Sequence, residues 1–227
     1  MLIDPELDHI FICSSRHGKD VRALAQAGFS LGLNRIHDGQ GTANALFFFD
    51  NAYLELLWVN DEVEVRSEAV RPTALWERLS WRKTGACPFG ISLRPGVTVR
   101  GRATELETWD YEAPFLPADT TIPVVTDRYS PRAPFVFILP WGVAPADNPK
   151  ERAASLLEHT GGRHKVTSVT VHVPCSVELA SGLQRLNDIG VVKFVHGEKY
   201  FLELELNMGK NGKGKDFRPG MPLWMRW

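Results

Sequence analysis

The sequence predicts an α+β fold. Apolar, strand-like runs outnumber short helical patterns throughout the 227 residues. The first 60 residues follow the order strand, helix, strand, strand, strand, and a partial copy, strand, helix, strand, strand, recurs between residues 166 and 206. A chain of this length can bury a substantial core, and internal repetition on this scale is typical of folds built from related modules.

The first and fourth strands of the N-terminal unit each contain one polar residue among apolar neighbours. His9 lies in the run from Leu7 to Cys13, and Glu55 lies in the run from Ala52 to Val59. Both runs are apolar on their two faces, which is typical of strands covered on both sides. A buried carboxylate needs a cation, hydrogen bonds or a raised pKa. A metal ion shared by His9 and Glu55 would satisfy it. The alternative is structural, with Glu55 solvated and His9 hydrogen-bonded in the core.

The other elements of this unit follow from periodicity and turn residues. Ser14 or Ser15 is expected to cap the helix, and Gly28 is expected to end it. The predicted elements are a helix over 19–27, strands over 33–36 and 43–49, a glycine-containing loop over 37–41, and a hairpin turn at 50–51.

This order resembles the glyoxalase-like branch of the vicinal oxygen chelate superfamily. The segments that carry the resemblance are Leu7-Asp8-His9-Ile10, Gly41-Thr42-Ala43-Asn44-Ala45-Leu46 and Tyr53-Leu54-Glu55-Leu56-Leu57. The resemblance implies paired βαβββ modules that form a half-closed barrel around a cavity. In metal-dependent members, a His on the first strand and a Glu on the fourth strand are metal ligands, and the matching positions are His9 and Glu55.

The resemblance also implies the remaining site residues. Glu55 would serve in catalysis as well as in binding a divalent ion, with Zn²⁺, Mn²⁺, Fe²⁺ and Ni²⁺ all open. His37, Thr42 and Asn44 match the pattern of residues at the cavity mouth, and Trp58 is an aromatic residue beside the cavity strands. Alternatively, Thr42 and Asn44 only close the turn, and His37 is an exposed loop side chain.

The rest of the chain divides into four segments after the module at 1–60. They are a helical connector at 61–85, a second barrel half with a proline-rich loop at 86–145, a helix with the partial β-α-β-β unit at 146–207, and a basic tail at 208–227. The helical patterns lie at 73–81, 147–159 and 177–189, and the strand patterns of the second half at 89–93, 104–111 and 135–139. These strands of the second half contain no second His and Glu pair. His172 with Glu203 or Glu205 could complete the site, but alternation with apolar residues predicts a solvated sheet face.

The tail and the overall composition bound the function further. The tail carries five basic residues and one acidic residue, so it is either an anion-binding or lid segment or a mobile terminus whose final Trp224 and Trp227 dock on a neighbouring surface. Across the chain, 26 basic residues balance 27 acidic ones, which gives no basic field for nucleic acid. Three cysteines without metal-type spacing indicate free thiols in a reducing cytoplasm. The acidic N-terminal residues and the lack of a long apolar run predict neither a signal peptide nor a membrane span.

Three functional hypotheses follow. The first is a metal-dependent lyase, isomerase or dioxygenase acting on a small substrate with vicinal oxygens. The second is a metal-free protein that binds and sequesters a small molecule, which the missing ligand pair and the many aromatic residues favour. The third is that the later β-α-β-β unit is an interaction surface, because the resemblance implies that paired modules assemble as dimers. A partner chain could then supply the missing ligands.

Overall fold

The computed structural model describes residues 5–15, 18–96, 106–153, 156–162 and 164–227. Thirteen strands in these ranges form one sheet of eight strands and one of five, with only short helices. The α+β class is therefore confirmed. The three cysteines are free thiols. No helix among the described residues has the length and hydrophobicity to cross a membrane.

The large sheet contains the first eight strands in the order β2-β3-β4-β1-β5-β8-β7-β6. Their bounds are β1 Glu6–Cys13, β2 Asn34–His37, β3 Thr42–Phe48, β4 Tyr53–Val59, β5 Phe89–Arg94, β6 Trp109–Tyr111, β7 Ile122–Val124 and β8 Phe135–Ile138. Helix α1, Lys19–Gln26, joins β1 to β2. β1 pairs in parallel with β4, β5 pairs in parallel with β8, and β1 and β5 pair antiparallel at the centre. The strand order is therefore the same on both sides of the central pair.

The two faces of the large sheet serve different purposes because side chains alternate along each strand. Ile10, Ile12, Leu54 and Leu56 belong to the main core, which they share with the small sheet. His9 and Phe11 on β1, and Glu55 and Leu57 on β4, lie on the opposite face and line a cavity. The alternation therefore holds along β4 and along β1 from His9 onward, whereas Leu7, before His9, packs in the main core with Ile10 and Ile12.

The connector between β4 and β5 is helical, as the sequence predicts, but broken into short pieces. Its helices are α2 Glu62–Val65, α3 Leu75–Leu79 and α4 Trp81–Thr84. The predicted single helix over 73–81 is interrupted at Ser80, whose backbone is not helical. Arg78 of α3 is fully buried and donates to the carbonyls of Thr73, Cys87, Ser130 and Ala133. This side chain anchors the connector to the segments before β5 and β8.

The proline-rich passage contains more sheet than the sequence predicts. β7 includes Pro123 and pairs with β6, although prolines were expected to keep this region irregular. Pro123 is tolerated because β7 is only three residues long and pairs with β8 at the single position Val124. The strand predicted over 104–111 begins at Trp109, and its first two residues lie outside the described part of the chain.

The small sheet has the order β10-β9-β11-β13-β12. Its strands are β9 Val166–Pro174, β10 Lys193–Gly197, β11 Phe201–Leu206, β12 Gly214–Asp216 and β13 Leu223–Arg226, and helix α6, Ser181–Asp188, joins β9 to β10. β10 pairs in parallel with β9, β11 pairs antiparallel with β9, and β13 pairs in parallel with β11. The central antiparallel pair with a parallel neighbour on each side repeats the centre of the large sheet.

The expectation of a mobile tail is wrong. β12 and β13 belong to the small sheet, and Leu223 and Met225 are fully buried in its core. Trp227 is also buried and packs edge-on against Phe29, so its predicted docking is correct. The apolar residues of β13 contribute more stability by filling the core than they would in a free terminus.

Two helix boundaries also differ from the prediction. Helix α5 covers only Pro149–Ala153, and His159 instead forms a β-bridge with Gly162. The residue before α1 is Gly18, with no side-chain cap, because the hydroxyl of Ser14 donates to Asp20 at 2.5 Å. In both cases a local contact replaces the helical conformation or the cap that the sequence pattern predicted.

Candidate functional site

The cavity lies on the concave face of the large sheet and has a volume of about 230 Å³. The two edge regions of the sheet meet there, since the hydroxyl of Tyr111 on β6 donates to Oε1 of Gln40, beside β2 and β3, at 3.0 Å. Phe115 packs against His37 with 4.8 Å between ring centroids and closes the same side. The volume is just below the roughly 300–1,000 Å³ of ligand pockets, so the cavity suits a small molecule.

A β-bulge positions the first candidate ligand. The register of β1 against β5 shifts between Leu7 and His9, so Asp8 is the extra residue. Nδ1 of His9 therefore reaches Oδ1 of its neighbour Asp8 at 2.7 Å, although consecutive side chains of a regular strand point to opposite faces. The carboxylate can only accept, so Nδ1 carries the hydrogen. Nε2 of His9 then lies 3.4 Å from Oε2 of Glu55.

The carboxylate of Glu55 is fixed by a hydrogen bond to Oε1, the oxygen that is not paired with His9. Nδ2 of Asn44 donates to Oε1 of Glu55 at 2.7 Å, and Oδ1 of Asn44 accepts from the backbone N–H of Arg35 at 2.9 Å. The second bond sets the orientation of the amide, so its NH₂ group faces the carboxylate. Only 8% of the Glu55 side chain is exposed, and Oε2 remains available on the cavity side.

Asp8 is also stabilised by the positive charge of Arg94. The guanidinium of Arg94 lies 3.9 Å from Oδ2 of Asp8 and 3.0 Å from Oε2 of Glu6, and it donates to the backbone carbonyl of Leu7. A Cβ atom on Gly142 would lie 2.5 Å from Oδ2 of Asp8, so only glycine allows this approach. The buried carboxylate is therefore paired on both sides, as a buried charge requires.

Aromatic rings complete the surroundings of His9. Tyr53 stacks on the imidazole at a centroid distance of 4.4 Å, and Phe137 contacts it edge-on at 5.5 Å. Burial raises the pKa of Tyr53, so this ring stays neutral. The rings fix the plane of the imidazole, while Asp8 fixes which nitrogen carries hydrogen.

The second half of the sheet provides no equivalent pair. On the cavity face, β5 presents Gly90 and Ser92, and β8 presents Phe135 and Phe137. The hydroxyl of Ser92, across from His9, is buried and has no hydrogen-bond partner among the described atoms. In the described strands of this half, the positions across from the His9 strand thus carry glycine, serine and phenylalanine.

Only some of the other predicted site residues line the cavity. His37 and Asn44 line the cavity, whereas Thr42 is completely buried behind it and bonds to His37. Trp58 follows Leu57 on β4 and is not among the residues that line this cavity. Alternation places Trp58 on the face opposite Glu55.

Sequence analysis did not identify four residues of this site. Asp8, Arg35, Gln40 and Tyr111 all contribute to the cavity or its supporting bonds. Asp8 precedes His9 directly, but a period-two pattern assigns it to the opposite face and gives no sign of the bulge. Arg35 shares a strand face with His37, which the short predicted strand at 33–36 did not include.

The pair of His9 and Glu55 fits part of a metal site. Two ligand atoms about 2.1 Å from a tetrahedral ion lie about 3.4 Å apart, which matches their separation. The Nδ1–H bond to Asp8 is also the usual support for a metal-binding imidazole. No group of three or more His, Cys, Asp or Glu side chains that could hold an ion occurs within the described ranges. The described residues therefore offer two ligands here, and other ligands would have to complete the coordination.

His172 and Glu203 form a similar contact in the small sheet. Nε2 of His172 lies 2.9 Å from Oε1 of Glu203, but the side chains are 26% and 40% exposed. Glu205 pairs instead with Arg226. The alternation along β11 thus predicted correctly that these residues lie on a partly solvated face and outside the cavity.

The fold and the cavity define a class of protein, an α+β protein with a small-molecule cavity on a curved mixed sheet. A family model described as "Glyoxalase-like domain" matches residues 7–187, and the chain belongs to that family. The crystal structure of a hypothetical protein from Staphylococcus aureus is similar over 98% of both chains, with a TM-score of 0.56 and 12% identity. At this identity the likeness shows the fold alone. No curated protein matches the chain.

Proposed function

We propose that this protein is an enzyme that binds a small molecule with vicinal oxygen atoms, and that His9 and Glu55 hold a divalent ion in the cavity. One observation carries the proposal. Nε2 of His9 and Oε2 of Glu55 face each other at 3.4 Å, and each group is fixed at its remaining polar atom. The equal strand order on the two sides of β1 and β5 supports paired modules of the glyoxalase-like type.

The residues divide the chemistry among them. Asp8 holds the hydrogen on Nδ1 of His9 and leaves the lone pair of Nε2 free on the cavity side. Asn44 holds Oε1 of Glu55 and leaves Oε2 on the cavity side, where this atom would bind the ion or, when free of it, accept a proton from a substrate carbon adjacent to an oxygen. A divalent ion bound at this pair would act as a Lewis acid toward the substrate oxygens. Phe135 and Phe137 exclude water from the opposite wall.

The test is elemental analysis of the purified protein after dialysis against Zn²⁺, Mn²⁺, Fe²⁺ or Ni²⁺. The wild type is expected to retain a stoichiometric ion, and His9→Ala and Glu55→Gln are expected to lose it. His172→Ala is the matched control, because it removes the histidine of the other His and Glu pair. An ion-free wild type, or an unchanged ion content in His9→Ala, would contradict the proposal.

A metal-free binding protein is the second candidate function. It is favoured by the aromatic wall of the second half and by the presence of only two ligand groups within the described residues. Thermal-shift screening of small aromatic ligands separates the two candidates. Stabilisation that is the same with and without EDTA supports the binding protein, whereas stabilisation that requires a divalent ion supports the enzyme.

A further inference from the structure

We infer that His37 and Arg35 on β2 form an anion-binding part of the cavity, and that the ligand carries a carboxylate or another oxyanion there. This inference rests on the proposed function, because it names the substrate class of the same cavity. Its basis is a chain of hydrogen bonds that fixes which nitrogen of His37 carries hydrogen.

The chain begins at Tyr111 and fixes the amide of Gln40. The hydroxyl of Tyr111 contacts Oε1 of Gln40 at 3.0 Å, and Nε2 of Gln40 contacts Oγ1 of Thr42 at 2.8 Å. Burial raises the pKa of Tyr111, so its hydroxyl stays protonated and donates to the amide oxygen. The amide nitrogen can only donate, so Gln40 donates to Thr42.

Thr42 passes this orientation on to His37. Its side chain is 0% exposed, and Nδ1 of His37 lies 2.8 Å from Oγ1. Because Oγ1 already accepts from Gln40, the remaining partner for the hydroxyl hydrogen is Nδ1 of His37. A buried hydroxyl that failed to donate would lose a hydrogen bond without compensation by water. Nδ1 is therefore the acceptor, and the neutral ring carries its hydrogen on Nε2.

The ring of His37 is placed to present this hydrogen to a ligand. His37 lines the cavity, and its ring packs against Phe115. Burial lowers the pKa of His37, which favours the neutral form required by the bond from Thr42. A neutral imidazole with hydrogen on Nε2 is a donor, so the group it contacts in the cavity must be an acceptor.

Arg35 adds positive charge at the same end. It lies two residues before His37, on the same face of β2, and also lines the cavity. Its guanidinium has no hydrogen bond or ion pair with another side chain in the described part of the protein, and its planar fork matches the two oxygens of a carboxylate. Glu55 lies two strands away on β4 and is held by Asn44 of β3, which also accepts from the backbone N–H of Arg35. The cavity thus has donor groups on β2 and an acceptor group on β4.

The first experiment measures the tautomer of His37 directly, by long-range ¹H–¹⁵N correlation NMR of the ligand-free protein. We expect hydrogen on Nε2 in the wild type and a mixture of tautomers in Thr42→Val, which keeps the shape of the side chain but removes the donor. Thr167→Val, at an exposed threonine of the small sheet, is the control and is expected to leave the His37 signals unchanged. A wild-type ring with hydrogen on Nδ1 would overturn the inference.

The second experiment measures binding of phenylglyoxylate and of its neutral amide by calorimetry, with and without EDTA. The wild type is expected to prefer the carboxylate, and His37→Phe and Arg35→Gln are expected each to weaken its binding roughly tenfold to hundredfold, the range for a hydrogen bond to a charged group. His172→Phe is the control. Equal affinity for the two probes, unchanged affinity in both variants, or no binding of either probe would overturn the inference. None of these outcomes depends on whether the protein retains an ion. Failure of the metal proposal would be seen separately, in the elemental analysis.

Discussion

The two sheets of this protein each hold an imidazole against a carboxylate on a neighbouring strand, but only one of these pairs has the surroundings of a reactive site. In the small sheet, His172 and Glu203 lie 2.9 Å apart and are partly exposed. In the large sheet, His9 and Glu55 lie farther apart, at 3.4 Å, yet only 6% and 8% of their side chains are exposed. Contact distance alone therefore does not distinguish a site from a surface pair.

The difference comes from the groups behind each pair. Asp8 and Asn44 fix the large-sheet pair from both sides, and aromatic and aliphatic side chains line much of the cavity in front. Electrostatic interactions are stronger in such surroundings, and removing a partner is more costly. The small-sheet pair is screened by solvent, where ion pairs contribute little. The bulge at Asp8 and the amide of Asn44, and not the contact between His9 and Glu55 itself, therefore distinguish the candidate site.

The largest expected effect comes from removing the support of His9. Asp8→Ala leaves the Nδ1–H of His9 without an acceptor and removes one of the two carboxylates near Arg94. Breaking a buried charged pair costs about 3–5 kcal/mol, and we expect the lower end because Glu6 still pairs with Arg94. Urea unfolding followed by circular dichroism measures the loss.

The matched change in the small sheet is Glu203→Ala. It removes the carboxylate of a partly exposed pair, so the free energy of unfolding should change by about 1 kcal/mol or less. Equal losses in Asp8→Ala and Glu203→Ala would show that the two pairs do not differ in the way that their burial indicates.

A smaller effect is expected at a glycine of the cavity floor. A Cβ atom on Gly90 would lie 1.9 Å from the ring of Phe11, so Gly90→Ala must displace a side chain of the cavity wall. Overpacking of this kind costs about 1–3 kcal/mol. In the small sheet, the Cβ of Gly197→Ala would meet His172 only at an ordinary 3.6 Å.

The two glycine variants are compared by thermal unfolding and by ligand-induced thermal shift. Gly90→Ala is expected to lower both the melting temperature and the response to aromatic ligands, because Phe11 lines the cavity. Gly197→Ala is expected to change neither. A Gly90→Ala protein as stable as the wild type would mean that the ring of Phe11 moves aside freely.

The sequence predicted the parts of this molecule that depend on local periodicity. The strands that carry His9 and Glu55 were visible as long apolar runs, and alternation predicted the solvated position of His172 and Glu203. Sequence patterns did not predict the short strands of the tail, or contacts between residues that are distant in the chain. The three residues of β12 carry no apolar pattern, and β13 has only four residues, so the sheet position of the tail was not visible.

The missed residues of the site have a common explanation. The bulge at Asp8 is a pairing defect between β1 and β5, which no pattern within β1 reveals. The bond between Tyr111 and Gln40 joins residues 71 positions apart and exists only because the sheet curves. Trp58 was predicted beside the cavity from its aromatic character, but the alternation of side chains along β4 places it on the face opposite Glu55. Supporting contacts of this kind require the tertiary structure.

The smallest predicted effect concerns pH and the core that the two sheets share. His159 and His164 stack at 5.5 Å beside Phe29, and burial lowers the pKa of both, with Asp50 and Glu158 opposing the shift at His159. The unfolded chain therefore binds more protons below pH 6.5, so stability should fall as pH decreases from 7.5 to 5.5, by at most about 1.4 kcal/mol per histidine. Melting temperatures across this range measure the slope. His164→Gln should flatten the pH dependence of the melting temperature. His172→Gln, the control in the small sheet, should leave it unchanged. A pH dependence lost only in His172→Gln would place the acid sensitivity on the surface of the small sheet and not in the shared core.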